Sequence, residues 1–87
     1  MAPILHAIDV AAAIRDTLAG NSTKSHLGEW ALRAMLADDA GTMPYDQRHW
    51  TEIHDAVYHL LFLAEGPEYE LEDAELHGMI ELLERLA

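Results

Sequence analysis

The chain contains no cysteine. Disulfides and thiolate chemistry are therefore excluded, and a structural zinc site would have to be built from histidine and carboxylate alone. Positive charge is almost as scarce, with five basic side chains against sixteen carboxylates and a formal net charge of −11 in 87 residues. So few dispersed cations cannot form the basic stripe that follows a phosphate backbone, and direct nucleic-acid binding is not expected. An anionic membrane surface is disfavoured by the same repulsion. Long apolar runs are missing too. The opening Met1-Ala2-Pro3-Ile4-Leu5-His6 carries no basic residue, and Asp9 interrupts the only early apolar run, so neither a signal peptide nor a spanning helix is expected and the default location is the cytoplasm. No alternating strand pattern, internal repeat or low-complexity tract is present.

What the chain does have is apolar residues, at 51%, and carboxylates concentrated in its second half. Eleven of the sixteen lie from Pro44 onward together with only two basic residues, so that half carries −9 and the first half −2. The apolar content is high enough for a folded core despite the charge. A chain of this length forms one domain, here residues 1–87, and buries only about 60–65% of its unfolded surface. Self-association would add to that small core.

Periodicity and punctuation predict four helices and an all-α fold, either a four-helix bundle or a compact orthogonal arrangement. The first is expected to begin behind Pro3 and end at Gly20-Asn21, with Ile4, Ile8, Ala11, Ile14 and Leu18 on its packed face. Val10, Ala12 and Ala13 leave its flanks apolar as well, so it is expected to be central or to form a homodimer interface. The second starts after Ser22 or Thr23, either of which can cap it, and packs through Leu27, Trp30, Ala31, Ala34 and Met35 to about Ala37. Pro44 and Gly66-Pro67 bracket the third, whose stripe is Trp50, Ile53, Val57, Leu60, Leu61 and Ala64. The fourth runs from about Glu72 to Ala87 with Leu76, Met79, Ile80, Leu83 and Leu86 inward. Gly28 and Gly78 inside helices are each expected to mark a close helix crossing.

Several side chains invite a chemical reading. Glu52, Asp55 and His59 share one face of the third helix and are the candidates for a divalent ion. His54 and His59, five residues apart, diverge by about 140°, and no His-x-x-x-His or His-Glu-x-x-His clip occurs, so a solvated polar face is the expectation, with no metal and no cofactor. His77 has Asp73 and Glu81 within a helical turn on either side. His54 borders the apolar stripe beside Trp50, Val57 and Leu61, where a half-buried ring bonded to a nearby carbonyl or carboxylate is expected. Arg15 falls on the apolar side of the first helix, where its stem either snorkels to solvent or, as is expected, reaches a carboxylate across a helix or subunit boundary. Trp30 and Trp50 are expected in the core. Nothing surrounds a base with a nucleophile or substrate site, so the chain is not expected to be an enzyme.

The remaining candidates are the carboxylates. Asp38 and Asp39 close the second helix, where they oppose its dipole and so serve a loop or a partner. Glu65, Glu68, Glu70, Glu72 and Asp73, continuing to Glu75, form a row that could meet a basic protein or imitate a phosphate track, although a helix start also welcomes such charge. In length, acidity and helical content the chain resembles small bacterial immunity proteins that neutralise nuclease toxins. Its tyrosines, Tyr45, Tyr58 and Tyr69, stand singly where the colicin-nuclease immunity proteins carry a pair, so no residue role is carried across. The expected function is binding to a basic protein partner, as an inhibitor, antitoxin or immunity-like factor that occludes its surface. A scaffolding homodimer through the first helix and a small metal- or ligand-binding protein are the alternatives.

Overall fold

Four helices that each bury a set of apolar residues against the others form an all-α domain. The computed structural model describes residues 3–64 and 71–86. Helices α1 (Ala7–Leu18), α2 (Lys24–Ala40), α3 (Trp50–Leu61) and α4 (Asp73–Arg85) follow in order, with single 3-10 turns at Gln47–His49 and Phe62–Ala64. The packing is by pairs. α2 lies against α3 and the turn that ends it, α1 lies against α4, and α3 and α4 touch only sparsely. Among the described residues no helix is long and apolar enough to cross a membrane.

The largest difference from the sequence reading is at the start. Residues before Ala7 are extended rather than helical, and Leu5 forms an isolated parallel bridge with Tyr45. Leu5 N–H donates to the Pro44 carbonyl and Asp46 N–H to the Leu5 carbonyl, both at 2.9 Å. Asp9 then accepts from the His6 backbone N–H at 2.9 Å and closes the first turn of α1. This entry rotates the helix. The buried face is Ala7, Val10, Ala11 and Ile14, while Ile4 and Ile8 are exposed. Val10, expected on an outer flank, is fully buried because α1 touches all three other helices.

Thr23 is the cap of α2, accepting from His26 N–H at 3.1 Å. The helix runs past Ala37 and takes Asp38, Asp39 and Ala40 into its last turn, stopping where Gly41 adopts φ +76°. Pro44 does not open α3. It bonds the N-terminal segment, and α3 starts at Trp50 after a 3-10 turn capped by Asp46, which accepts from Arg48 N–H at 3.1 Å. The expected end at Gly66-Pro67 falls outside the described residues.

Ile14, Ile53, Leu60 and Leu76 are completely enclosed at the centre. Trp30 packs on the edge of this core, but Trp50 is 38% exposed and belongs to the surface. The two glycines also separate. A Cβ on Gly28 would come within 2.5 Å of the Ala64 backbone nitrogen, so only glycine lets α2 approach the end of α3. Among the described residues nothing lies within 4 Å of a Cβ on Gly78, and the crossing expected there is not found.

These contacts set opposite signs for the same substitution. Gly28→Ala should destabilise by about 1–3 kcal/mol through overpacking. Gly78→Ala should stabilise by up to about 1 kcal/mol through helix propensity. Leu60→Ala should cost about 2–4 kcal/mol. Urea denaturation of the three variants beside the wild type checks all of these together, and equal midpoints for the two glycine variants would contradict the crossing.

Candidate functional site

Among the described residues, the carboxylates singled out in the sequence do not form one patch. Asp73 is tied to Lys24 at the start of α2, with Nζ to Oδ1 at 3.2 Å, and the same ammonium donates to the Leu71 carbonyl at 2.9 Å. Asp38 lies fourteen residues further along α2, about 21 Å away at 1.5 Å per residue. Its Oδ1 accepts from Tyr45 N–H at 2.9 Å, which gives it a structural task in joining α2 to the segment before α3. Asp39 is exposed beside it, Glu72 is the exposed cap residue of α4, and Glu65, Glu68 and Glu70 lie outside the described residues.

Among the described residues, the carboxylate with the most hydrogen bonds is one that no spacing in the sequence singles out. Asp46 is only 7% exposed. Its oxygens accept from Arg48 Nε and Nη2 at 3.2 and 2.9 Å, from Arg48 N–H, and from His6 Nδ1 at 3.1 Å. A carboxylate can only accept, so His6 carries its proton on Nδ1. The Arg48 guanidinium, and after it His6, hold the Asp46 carboxyl well below the usual range, against the opposing effect of burial. Next to it Tyr45 is buried, and its hydroxyl finds no hydrogen-bond partner among the described residues. Burial, reinforced by Asp38 and Asp39, pushes this phenol up to about 12, so it stays neutral at physiological pH.

Outside this cluster, two flanks of α3 present open surface among the described residues. Because α3 and α4 touch so little, a groove with a cavity of about 300 Å³ separates them. On the α3 side it is lined by Glu52, Asp55, Ala56 and His59. Leu71, Glu75, Met79, Leu82 and Leu83 line the other side, and Leu82 is 53% exposed. The three residues considered for a metal thus share this groove. His59 Nδ1 donates to the Asp55 carbonyl at 2.7 Å, and among the described residues no three His, Asp or Glu side chains are grouped to hold an ion.

The second surface is an aromatic ladder at four-residue spacing along α3. Trp50 and His54 stack at 4.8 Å and 7°, His54 and Tyr58 at 6.2 Å and 25°, and Phe62 meets Tyr58 edge-on at 5.1 Å. His54 is half-buried as expected, and among the described residues its ring stacks on Trp50 and Tyr58. Gly28 near Ala64, and Asp38 bonded to Tyr45, make α2 and α3 antiparallel. Each four-residue step rotates about 40°, so Leu32 and Leu36 of α2 turn to the same outer side as Tyr58, and all three are exposed. The four-residue spacing of Trp50, His54, Tyr58 and Phe62 was the available signal for this ladder.

Arg15, as expected, crosses to a carboxylate on another helix, with Nη2 at 2.5 Å and Nε at 3.2 Å from Glu84 Oε2 on α4. No protein-family model matches this chain, and neither the curated proteins nor the solved structures contain a match to it.

Asp46 also sets a pH test. A carboxylate with a depressed folded pKa contributes stability that is present above the ordinary range near about 4 and is lost as pH falls toward the folded value. Asp46→Asn should therefore be less stable than wild type at about pH 7, with the gap narrowing steadily below about pH 4. Urea midpoints across that range check it, and a gap independent of pH would contradict the assigned charge.

Proposed function

We propose that this chain is a small acidic binding domain that engages a basic surface of another protein in the cytoplasm and acts by covering it, as an inhibitor, antitoxin or immunity-like factor. The observation that supports this reading is where the basic side chains go. Three of the five, Arg15, Lys24 and Arg48, are turned onto Glu84, Asp73 and Asp46 of the chain itself, while Arg33 and Arg85 are exposed. Glu52, Asp55, Glu75 and Glu81 meanwhile stand exposed along α3 and α4. A molecule of net charge −11 arranged this way steers cationic partners toward the α3 and α4 side and repels anionic ones. The reading invokes no catalytic group, metal or cofactor.

A homodimer is the second reading, favoured by the aromatic face. Leu32, Leu36, Trp50 and Tyr58 are exposed and uncharged, and two copies of so acidic a chain repel least through such a surface. The first helix offers less, because its apolar residues other than Ile8 are largely consumed inside the fold.

Capture from a host extract separates the readings. The wild-type bait should retain basic proteins at low salt and release them near about 1 M, where the screening length falls to about 3 Å. Reversing Glu68, Glu70 and Glu72 to lysine should slow association with a captured partner about tenfold, whereas Asp16→Lys with Glu29→Lys should change it little. Equal retention by wild type and the triple reversal would overturn steering by the second half. Sedimentation velocity of wild type and Tyr58→Asp tests the homodimer, which requires a dimer that the substitution dissociates.

A further inference from the structure

We infer that the groove between α3 and α4 seats a basic amphipathic helix of the partner protein, an inference that rests on the acidic-binding reading above. Three features of the groove specify this occupant. Its apolar lining is Ala56, Leu71, Met79, Leu82 and Leu83, and Leu82 and Met79 leave apolar surface uncovered. Its edges carry Glu52 and Asp55 on one helix and Glu75 on the other, all exposed, with no lysine or arginine among the lining residues. Finally, apart from Leu71 the lining residues all lie on the helices α3 and α4.

The charge at the edges selects the sign of the occupant. A second copy of this chain would bring carboxylates against carboxylates, and an anionic lipid surface would meet the same repulsion. A segment with lysine or arginine on both flanks of an apolar stripe complements both edges at once. The walls select its conformation. Backbone groups inside a helix are already bonded within it, so the groove offers no main-chain ladder to an extended peptide. A helix satisfies its own backbone and presents apolar side chains at three- and four-residue steps. The α3 lining from Glu52 to His59 spans about 10 Å, room for two turns, and the cavity of about 300 Å³ suits a few aliphatic side chains rather than a bulky cofactor.

The test uses a fluorescein-labelled synthetic peptide of leucine and lysine, about eighteen residues long, with its leucines on one helical face. A scrambled peptide of the same composition, with that face destroyed, is the reference. Fluorescence anisotropy against the whole chain should show the amphipathic peptide binding at least tenfold tighter than the scrambled one. Leu82→Asp should remove at least tenfold of that affinity, while Ile8→Asp, equally exposed on α1, should not. Leu82 is at the surface, and circular dichroism confirms that the variant is folded; Glu75→Lys supplies a second probe that leaves the apolar floor intact and should also weaken binding.

Equal binding of the two peptides, or equal losses from Leu82→Asp and Ile8→Asp, would overturn the groove. Failure here and failure of the broader reading are distinguishable. If host basic proteins are captured equally by wild type and Leu82→Asp, the acidic-binding reading stands and the groove does not. If wild type captures no basic protein at low salt, the broader reading itself fails.

Discussion

The carboxylate of Asp46 decides how the chain enters its own fold. It is nearly buried, yet it accepts hydrogen bonds from His6, from the Arg48 backbone and from the Arg48 guanidinium. A buried charge is tolerated only with such partners. By collecting them, Asp46 pins the extended N-terminal segment to the turn before α3 and so sets the rotation of α1. That rotation places Val10 rather than Ile8 in the core. The Leu5 to Tyr45 bridge extends the same joint, and Asp38 ties it to the end of α2. Three helices are thereby positioned around one short stretch, residues 45–48.

Pairwise packing follows, and it creates the surfaces available for binding. Gly28 lets α2 close against the end of α3, while α1 takes α4 and reinforces the pair with the Arg15 to Glu84 contact. The remaining seam, between α3 and α4, stays partly open. Its apolar lining is therefore not covered by the described chain, and the carboxylates on either edge give it a charge preference. On the opposite flank of α3 the ladder from Trp50 to Phe62 forms a surface of different character, aromatic and uncharged. One helix thus separates an acidic groove from an aromatic face, because its buried stripe is narrow enough to leave both flanks exposed.

Much of the fold was legible from local signals. The packed residues of α2 and α4, the Thr23 cap, the close approach at Gly28 and the reach of Arg15 to another helix all follow from helical spacing and residue chemistry. The misplaced stripe residues share a cause. Ile4, Ile8 and Trp50 have the right spacing for a core stripe, but a non-local bridge from Leu5 to Tyr45 moved the start of α1, and the 3-10 turn moved the start of α3. Gly78 looked like Gly28 because a sequence shows that a side chain is missing without showing what stands opposite it. Of the candidate site, Glu52, Asp55 and His59 are legible as one face and Met79 and Leu83 as inward on α4, but Leu82 between them is not.

By itself, then, the sequence determined the all-α class, the order of the helices, most of the buried residues and the sign of the protein's field, because each depends on composition or on neighbours within a helical turn. Only the tertiary structure decided which carboxylates are spent on folding and which face solvent, that Asp46 is a junction rather than a surface charge, and that acidic residues of α3 and α4 flank a shared apolar groove. Those properties depend on the rotation and separation of helices, and these are fixed by contacts between residues far apart in the chain: Leu5 with Tyr45, His6 with Asp46, Gly28 with Ala64, and Arg15 with Glu84.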